Sequence, residues 1–326
     1  MDIKNSRSLK AAARSSLKNA RCDARRLLLI HIGITLGLSA VLSLLDYIVQ
    51  TQIGNASGLS NLGLRSMLET AQTLLRIAHS VALPFWQMGY LFLTLKLSRE
   101  ESASAGTLLE GFRRFGPIIR YQLLCAILMT GIIMAGTYIS TGLYLMTPFS
   151  NALVDEMNAL LQSGTEDMVV LQEEMVTIFS KHIGPMILLF AIVCLIIGLP
   201  IYYRYRMSDL ALMDHPEKGA IHALRSSRKM MRRNCLQLVK LDLSFWWFYL
   251  LEALVVVLSY GDNILAALHV PLPVHEDVAY FGFYFLSLAC QFGIYTLYKN
   301  YVSVTYAHAY AALQPQPEVS NDGSIL

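Results

Sequence analysis

Six apolar runs, separated by polar stretches, set the pattern of this chain. Leu27 to Val49 carries no charge before Asp46. About 20 apolar residues suffice for a helix to cross the hydrocarbon core of a bilayer. The second run lies near Ile77 to Leu95. Pro84 is expected to kink it, and an amphipathic turn with Glu69 and Arg76 precedes it. A proline persists in a membrane helix where neighbours re-satisfy the freed carbonyl. The third run falls within Pro117 to Met146 and the fourth covers Ile183 to Tyr203. The fifth extends from Leu236 to Tyr260, and the sixth from Tyr280 to Leu297, with its helix continuing toward Leu313. The pattern predicts an all-α, polytopic membrane protein with six transmembrane helices.

The polar stretches predict further elements. In residues 1–26, Leu9, Ala13, Leu17 and Ala20 fall at helical spacing among eight Lys and Arg, so the segment reads as a basic cytoplasmic amphipathic helix. Residues 27–313 form the six-span membrane domain. Within it, residues 50–66, with Asn55, Gly58, Asn61 and Gly63, read as an external loop. Residues 148–182 carry six acidic residues opposed only by Lys181. Their apolar spacing predicts two amphipathic helices broken at Ser163-Gly164, with Ser163 and Glu166 capping the second. This acidic loop reads as external, as do residues 261–278, which hold Pro271 and Pro273 but no Lys or Arg. Residues 204–235 form a basic cytoplasmic connector. There Asp214 and Glu217 suit a helix start around Pro216, and Lys218, His222, Arg225, Lys229 and Arg232 recur at spacings of three and four. Residues 314–326 are polar and read as a disordered cytoplasmic tail.

Charge fixes the expected threading. Twenty of the 26 Lys and Arg fall in the proposed cytoplasmic segments and two, Arg65 and Lys181, in the external ones. That is a strong positive-inside bias, with both termini inside. Charged residues make up 15% of the chain and the mean hydropathy is +0.46, against about a quarter charged in a soluble domain. The five cysteines are scattered, so neither a disulfide framework nor a metal-binding pair is suggested. No cleavable signal peptide is expected, because the first apolar run is long and lacks a small-residue cleavage site.

Several segments resemble a bacterial multi-pass membrane family catalogued as domain of unknown function 975. They are SLKAAARSSLKNA near the start, ALPFWQMGYLFLTLKLSRE followed by LLEGFRRF, and LMDHPEKGAIHALRSSRKMM followed by LDLSFWWF. NYVSVTYAHAY resembles the family's closing PYxxxTxAxFY pattern, with Asn300 and Ala309 in place of Pro and Phe. Arg232 stands where the family has a Gly, at an expected tight turn. The resemblance implies an integral protein of the bacterial cytoplasmic (cell) membrane and adds no chemistry.

Candidate chemistry is sparse. Glu252, deep in the fifth run, needs a partner in hydrocarbon. A polar cluster of Glu252 with His79 or Arg76, and with Asp46 at similar depth, would form a proton or ligand site. The alternatives are a structural interhelical pair or a glutamate neutralised by desolvation. On the connector, Lys218, Arg225, Lys229 and Arg232 would meet anionic lipid headgroups or a membrane-protein partner, or else only fix topology. Nucleic acid is not an expected partner, since no nucleic-acid motif accompanies these residues. His31 reads as a hydrogen-bonded packing residue, and His215 and His222 as surface residues too far apart for a compact metal site. Gly33 and Gly37 form a GxxxG suited to close packing within the chain. No phosphate loop, zinc motif or nucleophile elbow occurs. No cofactor or metal is expected. The sequence therefore predicts a non-enzymatic scaffold or accessory subunit of a transport or envelope complex. The alternative is a small-solute or lipid transporter built around Glu252. A pair of broken helices in inverted repeat, which would strengthen that alternative, is not evident.

Overall fold

The structure is a computed structural model and describes residues 5–55, 62–162, 168–267 and 276–314. The regular structure of these residues is all helical, with no strand among them. In chain order the helices are α1 (Ser6–Asn19), α2 (Ala24–Asn55), α3 (Leu62–Ser98), α4 (Ala105–Leu108), α5 (Glu110–Arg113), α6 (Phe115–Leu145), α7 (Pro148–Gln162) and α8 (Met168–Tyr205). They continue with α9 (Ser208–Asp214), α10 (Gly219–Met231), α11 (Cys235–Leu243), α12 (Trp246–Ser259), α13 (Gly261–Ala267), α14 (Glu276–Ile294) and α15 (Asn300–Leu313). A 3-10 turn, Pro216–Lys218, precedes α10, and a π-helical turn, Tyr295–Lys299, joins α14 to α15. The expected Gly58 and Asn61 loop, the Ser163-Gly164 break with its Glu166 cap, Pro271, Pro273 and the tail from Pro315 lie outside the described residues.

Among the described residues, four helices are long and apolar enough to cross a membrane, or five if the bent pair α11 and α12 is one span. The four are Ala24–Gln52 in α2, Phe115–Leu145 (α6), Val170–Asp214 through α8 and α9, and Val278–Leu313 through α14 and α15. They correspond to the expected first, third, fourth and sixth runs. The expected second run lies in α3, where Ser80, His79 and Gln87 dilute the apolar residues. The expected fifth run is not one straight helix: α11 and α12 meet at a 68° bend. The physical reason lies in the sequence of the joint. Lys240 and Asp242 are ill suited to hydrocarbon, and α12 alone, at 14 residues, is only about 21 Å long.

The chain divides into two units, one of residues 1–119 and 207–326 and the other of residues 120–206. In the first, the C-terminal half of α3 is the centre. Leu27, Leu28 and Ile32 of α2, Ala13 of α1, Leu108 of α4 and Val304 of α15 close around Trp86, Tyr90, Leu93 and Leu97. The apolar side of α1 is thus spent on protein: Leu9 and Ala13 are fully buried as α1 packs on α15 and α3. Two glycines let α3 meet α4 and α5 backbone to backbone. A Cβ on Gly89 would lie 1.9 Å from the Leu108 carbonyl oxygen, and one on Gly111 would lie 1.9 Å from that of Phe85. By contrast, a Cβ on Gly33 or Gly37 would meet nothing within 4 Å, so the expected packing at that GxxxG is not made.

In the second unit, α7 packs on α8, and Glu156 pairs with Lys181 at 3.6 Å and with His182 at 3.8 Å. The second helix expected in the acidic loop is not separate from the fourth run; α8 continues unbroken through both. Large apolar side chains stand outward along these helices, Ile127, Leu188, Leu195 and Ile196 all being more than 60% exposed. A contiguous surface of that kind suits lipid and not water.

Candidate functional site

The connector is built around one buried carboxylate. Asp214 ends α9, with its side chain only 6% exposed. Arg99, just past α3, reaches its Oδ1 at 2.6 Å. Gln314 Nε2 donates to Oδ2 at 2.7 Å and the Tyr310 hydroxyl donates to it at 3.2 Å. Asp214 therefore does not cap the following helix, as the sequence suggested. α10 starts without any side-chain cap, and the carboxylate instead ties α3, α9 and α15 together. A charged acceptor with three donors is how a buried carboxylate is stabilised. Beside it, Arg114 donates to the Met213 carbonyl at 2.7 Å and lies 4.3 Å from the Phe92 ring centre. The turn after α10 keeps Arg232 in the right-handed region, φ −52°, so no glycine is required there.

α10 buries Ala220, Ala223, Ser227, Met230 and Met231 and turns Lys218, His222, Arg225, Lys229 and Arg232 outward. Lys218, His222, Arg225 and Lys229 line a groove of about 560 Å³, together with His215, Tyr310 and Gln314. Tyr310 and Gln314 belong to both the groove and the Asp214 network, so the cationic wall and the buried carboxylate share a rigid floor. Of the four connector cations expected to meet headgroups or a partner, Lys218, Arg225 and Lys229 line the groove and Arg232, though exposed, does not.

A second polar site surrounds the π turn. A π turn inserts a residue into the helix and often marks a functional position. Here it carries Tyr295 and Lys299. The Lys299 ammonium lies 4.2 Å from the Tyr295 ring centre and 5.3 Å from that of Tyr90. Tyr90 donates to Asn300 Oδ1 at 3.0 Å, and Asn300 Nδ2 donates to the Ala24 carbonyl at 2.9 Å. Glu252 lies in the same pocket as Tyr295, whose hydroxyl accepts from Gln291 at 3.2 Å. Glu252, Gln291 and Tyr295 face a cavity of about 220 Å³. A carboxylate, a phenol and an ammonium in sequence, set among apolar side chains, can hold a proton or a small cation.

The cluster expected from the sequence divides in two. Arg76 pairs with Asp46 at 3.0 Å, and Gln72 donates to the same carboxylate at 3.0 Å. Glu252 sits instead with Tyr295 and Gln291, while His79 Nε2 is buried without a hydrogen-bond partner. Lys299 and Tyr295 were missed because they fall at the end of the sixth run, where a lysine reads as a span boundary. His31 is a packing residue without the expected hydrogen bond: it is stacked 4.3 Å from Tyr90 and 5.6 Å from Trp86, and neither ring nitrogen has a partner.

A third contact holds the α11–α12 joint. Lys10 Nζ donates to the Ser244 carbonyl at 2.7 Å and lies 4.0 Å from the Phe245 ring centre. Burial, and after it the Arg14 charge, hold Lys10 below the usual lysine value. Next to it, Tyr306 donates to Asp242 and shares a 2.7 Å hydroxyl contact with Tyr249.

The class these features define is a helical protein with several helices suited to a membrane and two polar sites in one unit. The chain matches the family model described as "Protein of unknown function (DUF975)" over residues 1–316, and it belongs to that family. No curated protein and no solved structure matches it. Arg99, Asp214 and Tyr310, which meet in the connector, come from three of the segments on which the family resemblance rests.

Proposed function

We propose that this protein is a six-span protein of the bacterial cytoplasmic membrane, with both termini inside, that acts without catalysis as a scaffold or accessory subunit of a transport or envelope complex. The observation that carries this reading is the connector groove. α10 spends its small apolar face on the protein and leaves a row of cations outward on a rigid base. Such a surface favours acidic partners by charge complementarity and steering. The positive-inside count puts it at the cytoplasmic face, where anionic headgroups add to the attraction. The experiment is gentle co-purification from native membranes at native expression, with cross-linking and mass spectrometry. A stoichiometric partner cross-linked to residues 218–233, and lost in Lys218→Glu/Arg225→Glu, is the expected result. Recovery of the chain alone would overturn the accessory role.

The Glu252–Tyr295–Lys299 arrangement favours a second reading, a small-solute or lipid transporter using an intramembrane ion site. Its test is substrate-dependent flux in proteoliposomes. Flux abolished by Glu252→Gln supports it, and flux unchanged in that variant removes it.

A further inference from the structure

We infer that a cavity between the end of α1, the start of α2 and the π turn binds the phosphate group of an anionic phospholipid. The cavity has a volume of about 670 Å³, and its polar lining is Lys18, Asp23, Arg25, Thr296, Asn300 and Tyr301. It is distinct from the connector groove and from the smaller cavity at Glu252, and no residue lines both it and either of them.

Four observations point to this ligand. The first is charge. Lys18 and Arg25 are exposed cations on the two walls, and the Arg14 guanidinium lies 5.2 Å from the Tyr301 ring centre. The one carboxylate, Asp23, is engaged, accepting the Arg26 N–H at the start of α2. The second is unspent hydrogen bonding. Thr296 Oγ1 and Tyr301 Oη are both buried without a partner, and a buried polar atom in that state carries a desolvation cost that a ligand oxygen would relieve.

The third is rigidity. Asn300 cannot swing away, because its amide is held between Tyr90 and the Ala24 carbonyl. The fourth is depth and lining. Arg25 and Arg26 are the last charges before the apolar run from Leu27, so the cavity lies where the polar chain enters it. Leu17 and Leu28 supply apolar wall, and Leu297, also in the lining, is 69% exposed. A free anion uses the cations and hydroxyls but not this apolar rim; a phospholipid uses both. Basic pockets at the cytoplasmic ends of membrane helices bind headgroups in this way. The inference rests on α2 entering a membrane. It does not depend on the accessory or transporter reading, so their failure and its failure are separable.

The test uses the full-length protein in mild detergent. Thermal unfolding is followed with added phosphatidylglycerol, phosphatidylcholine, diacylglycerol or inorganic phosphate, since a ligand of the folded state raises Tm by mass action. Phosphatidylglycerol is expected to raise Tm most. Lys18→Gln/Arg25→Gln should weaken its apparent affinity by about tenfold or more, and Tyr301→Phe by about fivefold. Arg21→Gln, exposed and outside the lining, should leave it unchanged. If inorganic phosphate alone gives the full shift and displaces the lipid, the phosphate site stands with a soluble ligand as its source. Native mass spectrometry of the unmutated protein with equal phosphatidylglycerol and phosphatidylcholine gives a readout independent of variant folding; preferential retention of the anionic lipid is expected. Equal shifts from all lipids, an unchanged shift in the double variant, or equal retention of the two lipids would each overturn the assignment.

Discussion

Replacing Gly111 by alanine puts a methyl carbon 1.9 Å from the Phe85 carbonyl oxygen, and 2.9 Å from its carbon. Ordinary contact begins near 3.4 Å, so α3 and α5 must part by about 1.5 Å. The obstacle is backbone, which has no rotamer to change. Overpacking of this kind costs about 1–3 kcal/mol, and the upper end applies here. Alanine returns up to about 1 kcal/mol of helix propensity, leaving a net loss of about 2 kcal/mol. Gly89→Ala, reciprocal against Leu108, should lose a similar amount. The pair should not add: once one methyl has forced the helices apart the second meets less resistance, and the double variant should fall short of the sum by at least about 0.5 kcal/mol. The assay is SDS titration of the detergent-solubilised protein followed by tryptophan fluorescence, since Trp86 is buried beside this crossing. Gly33→Ala and Gly37→Ala are the controls, with open space around each Cβ, and should be neutral or slightly stabilising. If Gly111→Ala behaves like Gly37→Ala, the reasoning from backbone contact is refuted.

Arg99→Ala leaves the buried Asp214 carboxylate without its strongest donor, and should lower stability in the same titration by about 1.5–3 kcal/mol. Gln314→Ala, which leaves Arg99 in place, should lose less. Lys10→Met retains the apolar stem but loses the bond to Ser244; hydrogen exchange at the α11–α12 joint should rise, with little change in α14. Single-cysteine labelling of intact cells should reach Asp155→Cys from outside and Lys229→Cys only after permeabilisation, and the reverse pattern would invert the proposed threading.

The apolar runs that became α2, α6, α8 and α14–α15 were legible because length and the absence of charge decide them without reference to tertiary packing. On α10, Ala220, Ala223, Leu224, Ser227, Met230 and Met231 follow helical spacing as a less polar face, and all but the half-buried Leu224 are buried. What could not be read depended on partners distant in sequence. Asp214 looks like a cap from its neighbours, yet its donors lie 115 and 100 positions away at Arg99 and Gln314. The bent joint at Ser244 is held by Lys10, 234 positions away, and Glu252 meets Tyr295 from another helix at a π turn. No local spacing encodes those choices. Similar depth along the membrane was the ground for grouping Arg76, His79 and Asp46 with Glu252, but depth leaves the angular position of each helix open: Arg76 pairs with Asp46, and Glu252 lies elsewhere, beside Tyr295.

The packing of α1 on α15 sets an order of events in biosynthesis. α1 leaves the ribosome first, but the surface that buries Leu9 and Ala13 includes a helix ending at Leu313. At about 5–20 residues per second, roughly fifteen seconds to a minute separate the two. Throughout that interval α1 has only α3 to cover part of its apolar side, and the Lys10 bond to Ser244 forms once the α11–α12 joint has been made. Assembly of this unit is therefore completed by a late docking of α1 with α15. A nascent chain stopped before α15 would display part of α1 to proteases and chaperones, which makes α1 a reporter of whether α15 has been made and docked.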